Sequence, residues 1–189
     1  MVNKERKKER GSRKMKLFMW VMIVAIAFLL VHSSSPPKRP PSMLFYFHST
    51  VLNETHPDAN TAQVVAAPRS NLTVLGYGTM VVFDDPLTMD YSPDSTPVGR
   101  AQGFYVYDQL TKESVSAIFV FTALFNQEDG FNGTLNFVGA DPVLSPYRDI
   151  SVVGGTGDSE LARGIARLST QSISGVTFVL KVVVTLFYF

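Results

Sequence analysis

Along most of the chain, apolar and polar residues alternate in short runs rather than recurring every three or four positions. From Met43 onward no window of 12 residues holds a 3.6-residue apolar period. Runs rich in Val, Phe, Tyr, Thr and Ile are instead each closed by Gly, Pro, Asn or Asp, the pattern of strands and turns. They fall at about residues 44–48, 62–66, 74–83, 101–108, 116–125, 134–139, 150–153, 161–168 and 177–189. The last, Phe178-Val-Leu-Lys-Val-Val-Val-Thr-Leu-Phe-Tyr-Phe189, is apolar at every even position and mixed at odd ones, with Lys181 and Thr185. One face is therefore buried, and the other meets a second layer or a subunit. Asn132-Gly133 predicts a two-residue hairpin turn. Asp84-Asp85-Pro86 predicts a strand end, because proline cannot continue a ladder. Eight or nine strands at this spacing fit an antiparallel barrel or sandwich. A barrel of about eight closes its own edges and can hold one small ligand. Phe104 and Val106 point one way from their strand, Tyr105 and Tyr107 the other. Inside a barrel the two tyrosines would give aromatic walls with polar tips; outside, they would be interface residues.

The first residues are different. Residues 1–16 carry eight Lys or Arg against two Glu, and an unbroken apolar run from Leu17 to Val31 follows. Fifteen residues are short for a membrane span, which needs about 20, but suit a secretory signal. Val31-His32-Ser33 supplies a cleavage site, so residues 1–33 are expected to be a signal peptide or an uncleaved signal anchor. Only the anchor would leave the chain on a membrane. Residues 34–42, rich in Ser and Pro, form a stiff linker, and residues 43–189 the domain. The net charge of +1 over 189 residues thus hides a body about five charges negative, which argues against nucleic acid as a partner. The chain has no cysteine, which excludes disulfides, thiol nucleophiles and Cys-ligated zinc. Behind a signal, the sequons at Asn53, Asn71 and Asn132 become glycan sites on a secreted, extracellular protein. Asn53 and Asn71 lie in polar stretches and are the better two. A body this apolar, with a two-sided last strand, also predicts a homo-oligomer, a dimer or a trimer.

Little catalytic vocabulary stands out. Val152-Val-Gly-Gly-Thr-Gly157 lacks the third glycine of a dinucleotide loop, has Glu160 in its place, and reads as a glycine turn between strands. Asp84 and Asp85 point to opposite faces of their strand and cannot share one substrate atom. His32, His48 and His56 have no metal-ligand spacing, so neither a metal nor any other cofactor is expected. Asp141 ends one apolar run and Arg148 opens the next, across the turn 142–146, so both can reach one barrel mouth. On spacing alone they remain either a site pair or a loop aspartate and a surface arginine.

Leu44-Phe-Tyr-Phe-His48, Asp84-Asp85-Pro86-Leu87-Thr88, Val98-Gly-Arg-Ala-Gln-Gly-Phe-Tyr105, Gly139-Ala-Asp-Pro142, Arg148-Asp-Ile-Ser-Val-Val-Gly-Gly-Thr-Gly157 and Leu161-Ala-Arg-Gly-Ile-Ala166 resemble plant dirigent proteins, in order across most of residues 43–186. The resemblance implies an eight-stranded antiparallel β-barrel similar to allene oxide cyclase, assembled as a homo-oligomer and secreted to the apoplast. It implies binding of monolignol phenoxy radicals, of the coniferyl alcohol type, made by a separate laccase or peroxidase. The barrel then decides which faces couple in lignan biosynthesis. Alternatives are a cyclase or dehydratase acting on a phenolic quinone methide, which would make it a true enzyme, or a non-catalytic wall or defence protein. The family's motifs put the acid at Asp141 and the cation at Arg148, with Tyr105 and Tyr107 lining the pocket. An unpaired aspartate in an apolar pocket would hold its proton, ready to act as an acid. Where many members read Tyr-x-His-Asp, this chain reads Tyr46-Phe-His-Ser49, so Ser49 stands where a second pocket carboxylate is expected. A cysteine pair found near the two ends of many members is also missing.

Overall fold

The computed structural model describes residues 15–16, 18–23, 38–67, 76–110, 115–127, 130–175 and 177–189. The chain divides into two compact units, Met1–Pro36 and Pro37–Phe189. In the first, residues 15–16 and 18–23 are helical; the expected cleavage site and residues 34–37 of the expected linker lie outside the described residues, as does Asn71.

The second unit is almost entirely sheet: β1 (Ser42–Thr50), β2 (Ala62–Ala66), β3 (Met80–Thr88), β4 (Pro97–Tyr107), β5 (Ser116–Asn126), β6 (Asn132–Pro142), β7 (Arg148–Gly157), β8 (Ala162–Ser174) and β9 (Thr177–Tyr188). Among the described residues a 3-10 turn, Pro57–Ala59, interrupts it. The strands pair antiparallel in the order β1-β9-β8-β7-β6-β5-β4-β3-β2, and β1 also pairs with β3. That last pairing closes a barrel of eight strands, β1 and β3–β9, as the resemblance implied. β2 is an extra strand laid along β3.

Closure is uneven around the ring. β1 and β9 pair over nine residues, Ser42↔Thr185 to Thr50↔Thr177, and the Pro41 carbonyl extends the ladder by accepting the Leu186 amide at 2.9 Å. β1 and β3 share only Tyr46↔Thr88 and Phe47↔Leu87. The first half of β3 pairs with β2 instead, with Ala62 against Phe83. β3 therefore changes partner at Asp84-Asp85-Pro86. A ladder tolerates proline at such a break, and these residues continue the strand to Thr88 rather than ending it.

Two further turns are corrected. Asn132 and Gly133 are not the hairpin turn but the start of β6, paired with Asn126 and Phe125. The loop precedes them, fastened by Asn132 Nδ2 donating to the Gln127 carbonyl and its Oδ1 accepting the Gln127 amide, both at 2.9 Å. The glycines at 154, 155 and 157 lie within β7, and the turn follows at 158–161.

The inner face carries the core. Phe47 touches Phe83, Phe119 and Phe121 edge-on or nearly so, with centroids 5.4–5.9 Å apart. Phe121 stacks on Phe137 at 4.5 Å. Buried rings of this kind dominate core energetics. Gly103 lets β5 come close: a Cβ there would lie 2.2 Å from the Val120 carbonyl oxygen. Phe45, Phe125 and Phe131 fill one end of the barrel, with Phe45–Phe125 at 5.7 Å and Phe125–Phe131 at 5.1 Å. The other end is left open.

Candidate functional site

At the open end a cavity of ≈ 200 Å³ is walled by Val51 after β1, the end of β4, the start of β5, the facing ends of β6 and β7, and the β8–β9 hairpin. Tyr105 and Tyr107 lie two residues apart on β4, so alternation puts both on the inner face. Their rings meet edge to face at 5.6 Å, and both line the cavity. Burial, and then proximity to Tyr107 and to the Asp85 carboxyl, raises the Tyr105 hydroxyl above its ordinary pKa. Burial, and then the charge of Asp141, does the same for Tyr107. Both phenols therefore stay protonated at neutral pH, with the Tyr105 hydroxyl donating to that of Tyr107 and the Tyr107 proton left to give.

Asp141 and Arg148 are joined. The short turn between β6 and β7 brings them together, and Arg148 Nε donates to Asp141 Oδ1 at 2.6 Å. Arg148 Nη1 donates to Thr170 Oγ1 at 2.9 Å. The arginine side chain is 1% exposed and the aspartate 13%. An isolated cation could not be buried to that degree, so the carboxylate is its electrostatic partner. Asp141 is thus not the unpaired acid expected above. Nη2 of Arg148 makes no hydrogen bond to the described residues, leaving two donors on a side chain that lines the cavity.

Ser49 is fully buried on the inner face of β1 but does not line the cavity; Val51, two residues on, does. Asn53 spends its side-chain oxygen on the His56 amide at 3.0 Å, and its nitrogen makes no hydrogen bond among the described residues. Asn132 uses both side-chain atoms in its loop. Two groups escaped the sequence reading. Thr170 lies past residue 168, in a polar stretch that read as loop but continues β8 to Ser174. Asp85 read as a turn residue; it is completely buried.

The profile of the family described as dirigent-like protein matches residues 41–187. The chain belongs to the dirigent family. A dirigent protein of Sinopodophyllum hexandrum is 40% identical over 91% of this chain and 96% of its own length. Dirigent protein 5 of Arabidopsis thaliana is 37% identical over 89% and 92%. Among solved structures, a pterocarpan synthase dirigent protein superposes with a TM-score of 0.70 and 28% identity, covering 84% of this chain and 99% of its own. The dirigent barrel thus supplies the frame, and the open-end cavity is its candidate site.

Proposed function

We propose that this dirigent protein binds monolignol-type phenoxy radicals, such as those of coniferyl alcohol, and fixes the faces on which they couple. A separate laccase or peroxidase supplies the radicals. One observation carries the reading: a largely apolar cavity that sets two protonated tyrosines and the buried Arg148, with two uncommitted donors, beside Asp141, Thr170 and Thr177. Radical coupling needs no barrier lowered, so the protein acts by holding one geometry and excluding others. The quinone methide formed by coupling gains phenolate charge as it is attacked, and Arg148, which cannot lose its proton, stabilises that charge. Tyr107, which accepts from Tyr105, orients an oxygen by donating to it.

The cavity's size favours a second reading. At ≈ 200 Å³ it falls below the roughly 300–1,000 Å³ of pockets for drug-sized ligands, which suits one molecule closing a ring on itself. A quinone-methide cyclase would need no oxidase. Incubation with coniferyl alcohol, with and without laccase, and separation of products on a chiral column tests both. An enantiomeric excess with laccase, and no coupled product without it, supports coupling; racemic product in the laccase arm, the same as without the protein, rejects it.

The reading includes secretion to the apoplast, glycosylation and assembly into a homo-oligomer. Asn53, whose side-chain nitrogen makes no hydrogen bond among the described residues, is the better glycan site of the two described. Glycosidase treatment of protein from plant tissue should lower its mass, and an unchanged mass would reject glycosylation.

A further inference from the structure

The buried side-chain polar atoms lacking a hydrogen-bond partner among the described residues gather at one place: Ser49 Oγ and both carboxyl oxygens of Asp85. Protein interiors satisfy nearly all such atoms. The place is the seam where β3 leaves β2 and joins β1. There the Asp84 amide reaches the Thr61 carbonyl at 2.9 Å, and Thr61 Oγ1 accepts the Thr50 amide at 3.0 Å, which leaves the hydroxyl proton of Thr61 to give. Ser49 and Thr61 lie close enough to Asp85 to favour its ionised form, yet no bond of good geometry is made.

The seam adjoins the cavity. On β1, Ser49 precedes the cavity wall residue Val51 on the same face, and its register partner on β9 is Phe178, another wall residue. On β4, Ala101 stands level with Asp85, and Gly103 alone separates it from Tyr105 on the inner face. β3 and β7 stand four strands apart in the eight-stranded ring, so Asp85 and Arg148 occupy opposite walls. The other charged groups near Asp85, Arg100 of β4 and its partner Asp84, are on the outer face, and His48 of β1 turns outward to Thr88 Oγ1 at 2.7 Å.

We propose that Asp85, Ser49 and Thr61 form a second polar subsite of the barrel, one that takes the hydroxyl of a neutral alcohol reaching past Val51 and Phe178. A hydroxyl both donates and accepts, which matches a carboxyl beside two hydroxyls. An anion would meet a carboxyl, and a cation would shed its water in an aromatic interior without a second carboxylate to hold it. The choice of a phenolic alcohol as ligand rests on the proposed function; the subsite itself does not.

The test uses two probes, coniferyl alcohol and cinnamyl alcohol, which keeps the side-chain hydroxyl but lacks the phenol. The infrared carbonyl band assigned to Asp85, by its loss in Asp85→Asn, should shift when either alcohol binds. Asp85→Leu should weaken both alcohols by about tenfold, the worth of one hydrogen bond to a buried group. It should leave propenylbenzene, with no hydroxyl, unchanged. A purely structural Asp85 would alter stability without this discrimination between probes. No band shift at saturating concentrations of either alcohol overturns the proposal, as does a folded Asp85→Leu that still prefers the alcohols. Should the Leu variant not fold, the band shift in the parent decides alone. A shift with cinnamyl alcohol, together with racemic coupling products, would reject the phenol-coupling function and keep the subsite.

Discussion

Replacing Asp85 by Asn should make the protein more stable at neutral pH and leave it nearly unchanged in acid. Burial is the main cause that raises the Asp85 carboxyl from an ordinary 3.8 to about 7; nearby Thr61, Ser49 and Arg100 only partly oppose it. A raised carboxyl binds its proton more tightly in the folded state than in the unfolded one. Its contribution is therefore fully present below pH 3.8, drains away as pH climbs towards 7, and stays lost above. The gap of about three pH units, at 1.36 kcal/mol for each, makes the cost of ionising Asp85 about 4 kcal/mol. Asparagine keeps the shape and cannot ionise. Urea unfolding followed by near-ultraviolet circular dichroism, at a series of pH values spanning 4 to 8, gives the difference between parent and variant directly. The expected curve starts near zero, rises in favour of the variant with increasing pH, and levels off past neutrality. A constant difference at every pH would show that Asp85 does not titrate in the folded barrel, and would refute the reasoning.

Three further outcomes follow from the geometry. Asp141→Asn should destabilise the fold by about 3 kcal/mol by stranding the buried Arg148 charge; adding Arg148→Met should recover most of that loss in a double-mutant unfolding cycle, while product selectivity stays lost in all three variants. Gly103→Val should destabilise by about 3 kcal/mol or more, the upper range for overpacking, because its Cβ would lie 2.2 Å from the Val120 carbonyl oxygen; a thermal midpoint within a degree of the parent would contradict this. The outer face of β8 and β9 exposes Ile165 (48%), Val183 (38%) and Phe187 (59%) beside the Arg167–Asp149 pair. Light scattering should report an oligomer for the parent and a smaller mass for Val183→Glu, whereas a monomeric parent would remove this face as an interface.

Local pattern carried the barrel a long way. Alternation alone put Tyr105 and Tyr107 on one face, and gave β9 its inward row of Leu180, Val182, Val184 and Leu186. The short turn between Asp141 and Arg148 was also legible, since two strand ends joined by so few residues must meet. What escaped depended on distant partners. Proline reads as a strand breaker, and Pro86 is harmless only because β3 changes neighbours there, which no window around residue 86 reveals. Asp85 looks like turn chemistry for the same reason; its burial comes from β1 and the loop before β2. The polar tail of β8 reads as loop because its partners, Lys181 to Thr177, lie across the hairpin. The pairing of Asp141 with Arg148, rather than its isolation, likewise depended on where two side chains turn.

The long seam between β1 and β9 bears on how the molecule is made. Ser42 finds its partner in Thr185, so the first barrel strand to leave the ribosome waits for nearly the last. Until then β1 is an edge with free amides and with Phe45 and Phe47 uncovered, held only by its two pairings to β3. Pairings so far apart along the chain slow folding and prolong exposure of aggregation-prone edges. Synthesis halted before β9 should therefore leave an open, sticky sheet rather than a smaller barrel, and ring closure becomes an event that waits for the last barrel strand.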